Sequence, residues 1–86
     1  MQVLKFTASW CGPCKMMAPM IEEFKQENED VQIIDIDTDS GDSRQNRYEV
    51  MSVPTFIIVD ELGNKIDSAS GYMTRDMFEG FINKNR

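Results

Sequence analysis

Residues 3–17 read Val-Leu-Lys-Phe-Thr-Ala-Ser-Trp-Cys-Gly-Pro-Cys-Lys-Met-Met, and the pattern changes partway along. Val3 to Ala8 is apolar apart from Lys5 and Thr7. Near-continuous apolar character marks a central strand covered on both faces. From Cys11 to about Asn28, Met17, Met20, Ile21 and Phe24 recur at spacings of three and four, which gives a helix one apolar face. Pro19 falls inside that pattern and is expected to kink it. A strand running into a helix, with both cysteines at the junction, is the frame for everything else.

Outward from that junction, Val31 to Asp37 alternates in polarity and reads as a second strand. Ser40 to Met51 begins with Gly41, stays polar until Tyr48 and Val50, and is read as a short helix. Thr55 to Asp60 (Thr-Phe-Ile-Ile-Val-Asp) carries the strongest strand signal. Glu61 to Asn64 is a turn, and Lys65 to Ser70 a weaker strand that completes a hairpin. Thr74 is placed to cap a last helix whose apolar face is Met77, Phe78, Phe81 and Ile82. The order β-α-β-α-β-β-α predicts an α/β fold over residues 1–86: a mixed four-stranded sheet flanked by helices on both faces.

The chain has 86 residues, two cysteines, no histidine and a formal charge of −6. That length allows one domain. A chain of this size buries only about 60–65% of its unfolded surface, so an economical fold is expected. Without histidine there is no Ser-His-Asp triad, no Cys-His protease and no His-ligated zinc; two cysteines cannot close a Cys₄ site within one chain. The acidic balance argues against nucleic acid as a partner. The charge is uneven: residues 1–21 carry +2 and no carboxylate, residues 22–43 carry −8, and the remainder is neutral. Both cysteines lie in the acid-free stretch. No secretory signal or membrane-length apolar run is seen, so the expected location is the cytoplasm. There, two close cysteines favour redox chemistry over a structural staple.

Trp10-Cys11-Gly12-Pro13-Cys14-Lys15 has a physical reason at each position. The two-residue gap lets both sulfurs meet within one helical turn. Helix-start N–H groups and the dipole favour thiolate at Cys11, and Lys15 adds positive charge. Pro13 suits a first turn, where its missing N–H costs nothing. Cys14, one turn in, is expected to be shielded, leaving Cys11 exposed. Half a zinc site would need a second chain for its other ligands, and a structural disulfide closing so small a loop would stabilise little. Thiol–disulfide exchange is the better use of such a pair. Met16, Met17 and Met20 are read as core filling rather than soft-metal ligands, with Met16 off the apolar face.

On these residues the chain resembles the thioredoxin family. Residues 10–15 repeat its active-site sequence; Ala18-Pro19 matches its kinking proline, Val53-Pro54-Thr55 its cis-proline loop, Gly63 a hairpin glycine, and Gly71 the glycine bordering its substrate groove. The resemblance spans residues 2 to about 84 and is to a compact form lacking the family's N-terminal strand and helix, a size met in some phages and archaea. It implies a thioredoxin fold and a dithiol–disulfide oxidoreductase. Cys11 is then the nucleophile, Cys14 the resolving thiol, and Cys11–Cys14 the redox disulfide. Trp10, Gly12, Pro13, Met51, Ser52, Val53, Pro54, Gly71 and Tyr72 would surround the substrate groove, with the Val53 backbone free to pair with an extended substrate strand. The implied partners are disulfide-containing protein substrates, with ribonucleotide reductase as a family-level example, and a thioredoxin reductase-like electron donor. No cofactor, metal, nucleic acid or membrane is implied, the chain is expected to be a monomer, and a phage-encoded chain would act in its host's cytoplasm.

One position departs from the family. Its buried aspartate, six residues before the first cysteine, is here Lys5, and Thr7 replaces a family tryptophan. Lys5 either favours thiolate at Cys14 by its charge or acts as a base in neutral form, with Asp35 on the neighbouring strand as its expected partner; the plain alternative is a lysine that reaches solvent and does nothing for catalysis. Two other functions compete. A glutaredoxin-like, glutathione-dependent reductase fits the short architecture, although Gly12-Pro13 and Gly71-Tyr72-Met73-Thr74 differ from that family's usual motifs. A thioredoxin fold kept as a non-enzymatic binding subunit is the other.

Overall fold

A computed structural model describes residues 1–86. Strands β1 (Gln2–Thr7), β2 (Gln32–Asp37), β3 (Thr55–Val59) and β4 (Lys65–Ser70) form one sheet in the order β2-β1-β3-β4. β1 runs parallel to β2 and antiparallel to β3; β3 and β4 form the hairpin. Helices are α1 (Gly12–Glu27), α2 (Arg44–Arg47) and α3 (Arg75–Lys84).

Apolar residues on both faces of the central strands build two cores. Val3, Ile33, Phe56 and Ile58 meet Met17, Ile21 and Phe24 of α1 and Phe78, Phe81 and Ile82 of α3. Phe78 is fully buried and packs edge-on against Phe24 and Phe56, with ring centroids 5.0 and 5.3 Å away. On the other face Leu4, Phe6, Ile36, Ile57 and Val59 are covered by Val50, with Tyr48 and Val53 at the edge. All five residues of β3 are buried: Phe56–Val59 is an unbroken apolar run, and Thr55 is the one buried polar residue.

Two expectations about helices are corrected. The helix expected over Ser40–Met51 is a 3₁₀ turn (Thr38–Ser40) followed by the single turn of α2. Gly41 adopts φ +75 between them, and the polar sequence offers no apolar face to extend α2. Met77, assigned to the apolar face of α3, is exposed, because Phe78, Phe81 and Ile82 already fill the stripe facing the sheet. Met16 is exposed and Met20 only partly buried. No helix is long and apolar enough to cross a membrane.

Candidate active site

β1 ends at Thr7, and after one turn Cys11 becomes the N-cap of α1 with extended backbone (φ −84, ψ 105). Its carbonyl and sulfur are both used: Lys15 N–H donates to Cys11 O at 3.2 Å, and Cys14 N–H donates to Cys11 Sγ at 3.2 Å. Pro13 sits in the first turn, where a donor is not needed. Cys11 and Cys14 are joined in a disulfide with Cα atoms 5.3 Å apart.

The exposure expected of Cys11 is not found. Cys11 is 3% and Cys14 8% exposed, and both pack with Ala8 and against Val53. In this oxidised state the Cys11 sulfur is bonded to Cys14, and a loop from elsewhere in the chain packs against the pair's cluster through Val53. Gly12, Pro13 and Lys15 remain exposed around it.

That loop precedes β3. The Val53–Pro54 peptide is cis. Thr55 Oγ1 donates to Ser52 O at 2.7 Å, and Gly71 N–H donates to Pro54 O at 2.9 Å, so Gly71 (φ +89) is tied to the proline. Neither the N–H nor the C=O of Val53 has an intramolecular hydrogen-bond partner. Met51 is 93% exposed, and Tyr72, beside Gly71, is half exposed.

Trp10 is 69% exposed, and its indole N–H donates to Asp39 Oδ1 at 3.4 Å. Asp39 is held by the turn it belongs to: its N–H donates to Asp37 Oδ1 at 2.9 Å, and Thr38 Oγ1 donates to Thr7 O at 3.1 Å. Trp10, Val50, Met51, Ser52 and Val53 line a small cavity of about 80 Å³ beside the cysteines. The largest cavity, about 770 Å³, lies at the opposite end of the sheet, between Met1, Val59, Leu62 and Ile66, away from the sulfurs. Asp39 was not foreseen; the Asp37-Thr38-Asp39-Ser40 run is a turn-forming sequence, but nothing local ties it to Trp10.

Lys5 does pair with Asp35, at 3.0 Å from Nζ to Oδ1 and in direct register across β1 and β2. Lys25 of α1 approaches the other oxygen of Asp35 at 3.8 Å, a third member that the sequence reading missed. The Lys5 side chain is 15% exposed, and its partner Asp35 is 55% exposed.

A family model described as Thioredoxin matches residues 1–84. The thioredoxin of Bacillus subtilis is 37% identical over 81 residues, covering 93% of this chain and 77% of that one. A Staphylococcus aureus thioredoxin is 36% identical over 85 residues, covering 98% and 81%. Among solved structures, Fasciola hepatica thioredoxin superposes with a TM-score of 0.89 at 29% identity, covering 99% of this chain and 80% of that one. Mitochondrial thioredoxin 3 of Saccharomyces cerevisiae, oxidised, gives 0.85 at 32% identity, covering 96% and 76%.

Proposed function

Since the chain belongs to the thioredoxin family and is a dithiol–disulfide oxidoreductase, we propose that it reduces protein disulfides with Cys11 as the attacking thiolate and Cys14 as the resolving thiol. The observation that carries this reading is the juxtaposition at Val53: a residue packed against the cysteines whose N–H and C=O are both free. An extended substrate segment can pair with those groups as an added strand, which presents its disulfide to Cys11.

The Cys11 assignment draws support from the helix terminus rather than from exposure. The Cys14 N–H aimed at Cys11 Sγ would stabilise a thiolate there, whereas Cys14 lies on the buried side of α1. In the first step Cys11 thiolate attacks one substrate sulfur; that disulfide breaks, the other substrate sulfur leaves as thiolate and takes a proton from solvent. In the second, Cys14 loses its proton and attacks Cys11 Sγ, releasing the remaining substrate thiolate. The substrate gains two electrons and the protein is left with the Cys11–Cys14 disulfide. Trp10, Gly12, Pro13, Met51, Ser52, Pro54, Gly71 and Tyr72 form the surrounding groove in this reading. Lys5 modulates cysteine ionisation through the charge it holds on the α1 side of β1. A thioredoxin reductase-like donor, working in the cytoplasm, completes the cycle.

The donor test runs insulin reduction first with NADPH and a thioredoxin reductase, then with glutathione and its reductase. Turnover with the first and little with the second is expected. Turnover only with glutathione would replace the proposal by the glutaredoxin-like reading.

A further inference from the structure

Apart from the packing of Val50 and Tyr48 in the second core, the stretch that leads into the Val53 loop has few polar ties to the rest of the fold. α2 is one turn long and buries no residue. Apart from the local bond that Val50 N–H donates to Gln45 O, every hydrogen bond that leaves residues 41–49 ends on a single atom, the carbonyl oxygen of Gly63 in the β3–β4 turn. Tyr48 Oη donates to it, and Arg47 Nη2 donates at 3.4 Å, with the Arg47 guanidinium 5.2 Å above the Tyr48 ring. The acceptor is itself rigidly held. Asp60 Oδ1 takes the N–H groups of Leu62 and Asn64 at 2.9 and 2.8 Å, and Gly63 N–H donates to Asp60 O at 3.0 Å. Gly63 has φ +83, and a Cβ there would come within 3.0 Å of Arg47 Nη2, so the contact is close as well as directed.

Downstream of Tyr48 the chain turns through Glu49, buries Val50 and emerges as Met51-Ser52-Val53. The far end of this stretch has its own anchors in Thr55 and Gly71. At the near end the polar anchorage is the Gly63 oxygen alone.

We propose that Tyr48 is a positioning residue for substrate docking: by donating to Gly63 it sets where the free Val53 N–H and C=O stand relative to Cys11. The inference rests on the docking role of Val53 given above. A polypeptide substrate that must pair with the loop depends on that placement. A small disulfide that makes no backbone hydrogen bonds does not.

The test is Tyr48→Phe, with insulin as protein substrate and dithiothreitol as reductant, compared with direct reaction of the dithiol with 5,5′-dithiobis(2-nitrobenzoic acid). Loss of one hydrogen bond corresponds to a rise of about three- to tenfold in the insulin KM, with kcat within about twofold of the parent. The preference for insulin over the small disulfide should fall in proportion. An insulin KM within twofold of the parent, or an equal loss on both substrates, would overturn the proposal. Should Tyr48→Phe not fold, Arg47→Ala removes the weaker donor to the same oxygen; a KM raised about twofold or more supports the clamp and an unmoved KM overturns it. A parent protein with the same kcat/KM on insulin and on the small disulfide would overturn the docking reading itself. A parent that prefers insulin, with KM unmoved in the variant, overturns only the role of Tyr48.

Discussion

Replacing Glu49 by glycine should stabilise this protein. Glu49 has φ +55, a left-handed conformation that is costly for a residue with a Cβ. Its place explains the conformation. Tyr48 caps α2, Glu49 N–H donates to Asn46 O at 3.2 Å, and Val50 N–H donates to Gln45 O at 2.9 Å. Those two bonds form a Schellman ending, whose left-handed position is usually glycine. The Glu49 side chain is exposed and makes no ion pair or hydrogen bond that glycine would forfeit. The left-handed cost is about 1–2 kcal/mol, and glycine returns about 0.5–1 kcal/mol through its greater freedom when unfolded, leaving a net gain of about 0.5–1 kcal/mol. For a domain of this size that raises Tm by roughly 2–8 °C. Thermal and urea melts followed by far-ultraviolet circular dichroism measure it, with an unchanged urea m-value expected. A Tm equal to or below that of the parent would refute the reasoning and mean that the Glu49 side chain contributes more than its backbone costs.

The core gives the opposite sign: Phe78→Ala, which removes the ring between Phe24 and Phe56, should cost about 3–5 kcal/mol, enough to abolish a cooperative melt in so small a domain. Asp42 is held at about 2, below the usual carboxylate range, chiefly by its side-chain hydrogen bonds from Arg44 and also by the Arg44 N–H. Its folded-state value is depressed, so its stabilising effect is complete above the ordinary carboxylate value of about 4 and is lost as pH falls from there through about 2. Asp42→Asn should therefore lower Tm modestly at pH 7, with the gap to the parent closing by pH 2; a gap that persists there would contradict it. Lys5→Ala should shift cysteine titration, followed by thiolate absorbance, to higher pH, because a positive charge facing α1 is removed. Unchanged titration and turnover would sink the role given to Lys5.

What the sequence made legible was whatever depends on period and neighbours. β1, α1 and the β3–β4 hairpin follow from runs of apolar residues at strand or helix spacing, and the redox pair follows from two cysteines at the strand–helix junction. The length of α2 is not legible because its limit is set by Gly41 before it and the left-handed Glu49 after it, neither of which interrupts a hydrophobic period. The burial of Cys11 is not legible for a different reason. Cys11 is buried in a cluster with Ala8 and Cys14 against which Val53, brought there by folding, packs, and a local reading of the helix start sees only the N–H groups. Trp10 with Asp39, Tyr48 with Gly63, and Lys25 joining Lys5 and Asp35 are likewise contacts between distant segments. Periodicity carries no information about such pairings. The Lys5–Asp35 pair is legible because the two residues carry opposite charges on strands that the βαβ pattern makes neighbours.

The division of labour between the two sulfurs is tested most directly by trapping the mixed disulfide. Reduced Cys14→Ser and Cys11→Ser proteins are mixed with insulin, quenched in acid and mass-analysed after proteolysis without reduction. The account predicts an insulin adduct on Cys11 that accumulates in Cys14→Ser, because no second thiol remains to release it, and no comparable adduct in Cys11→Ser. An adduct that forms through Cys14 in Cys11→Ser at least as fast as through Cys11 in Cys14→Ser would contradict it.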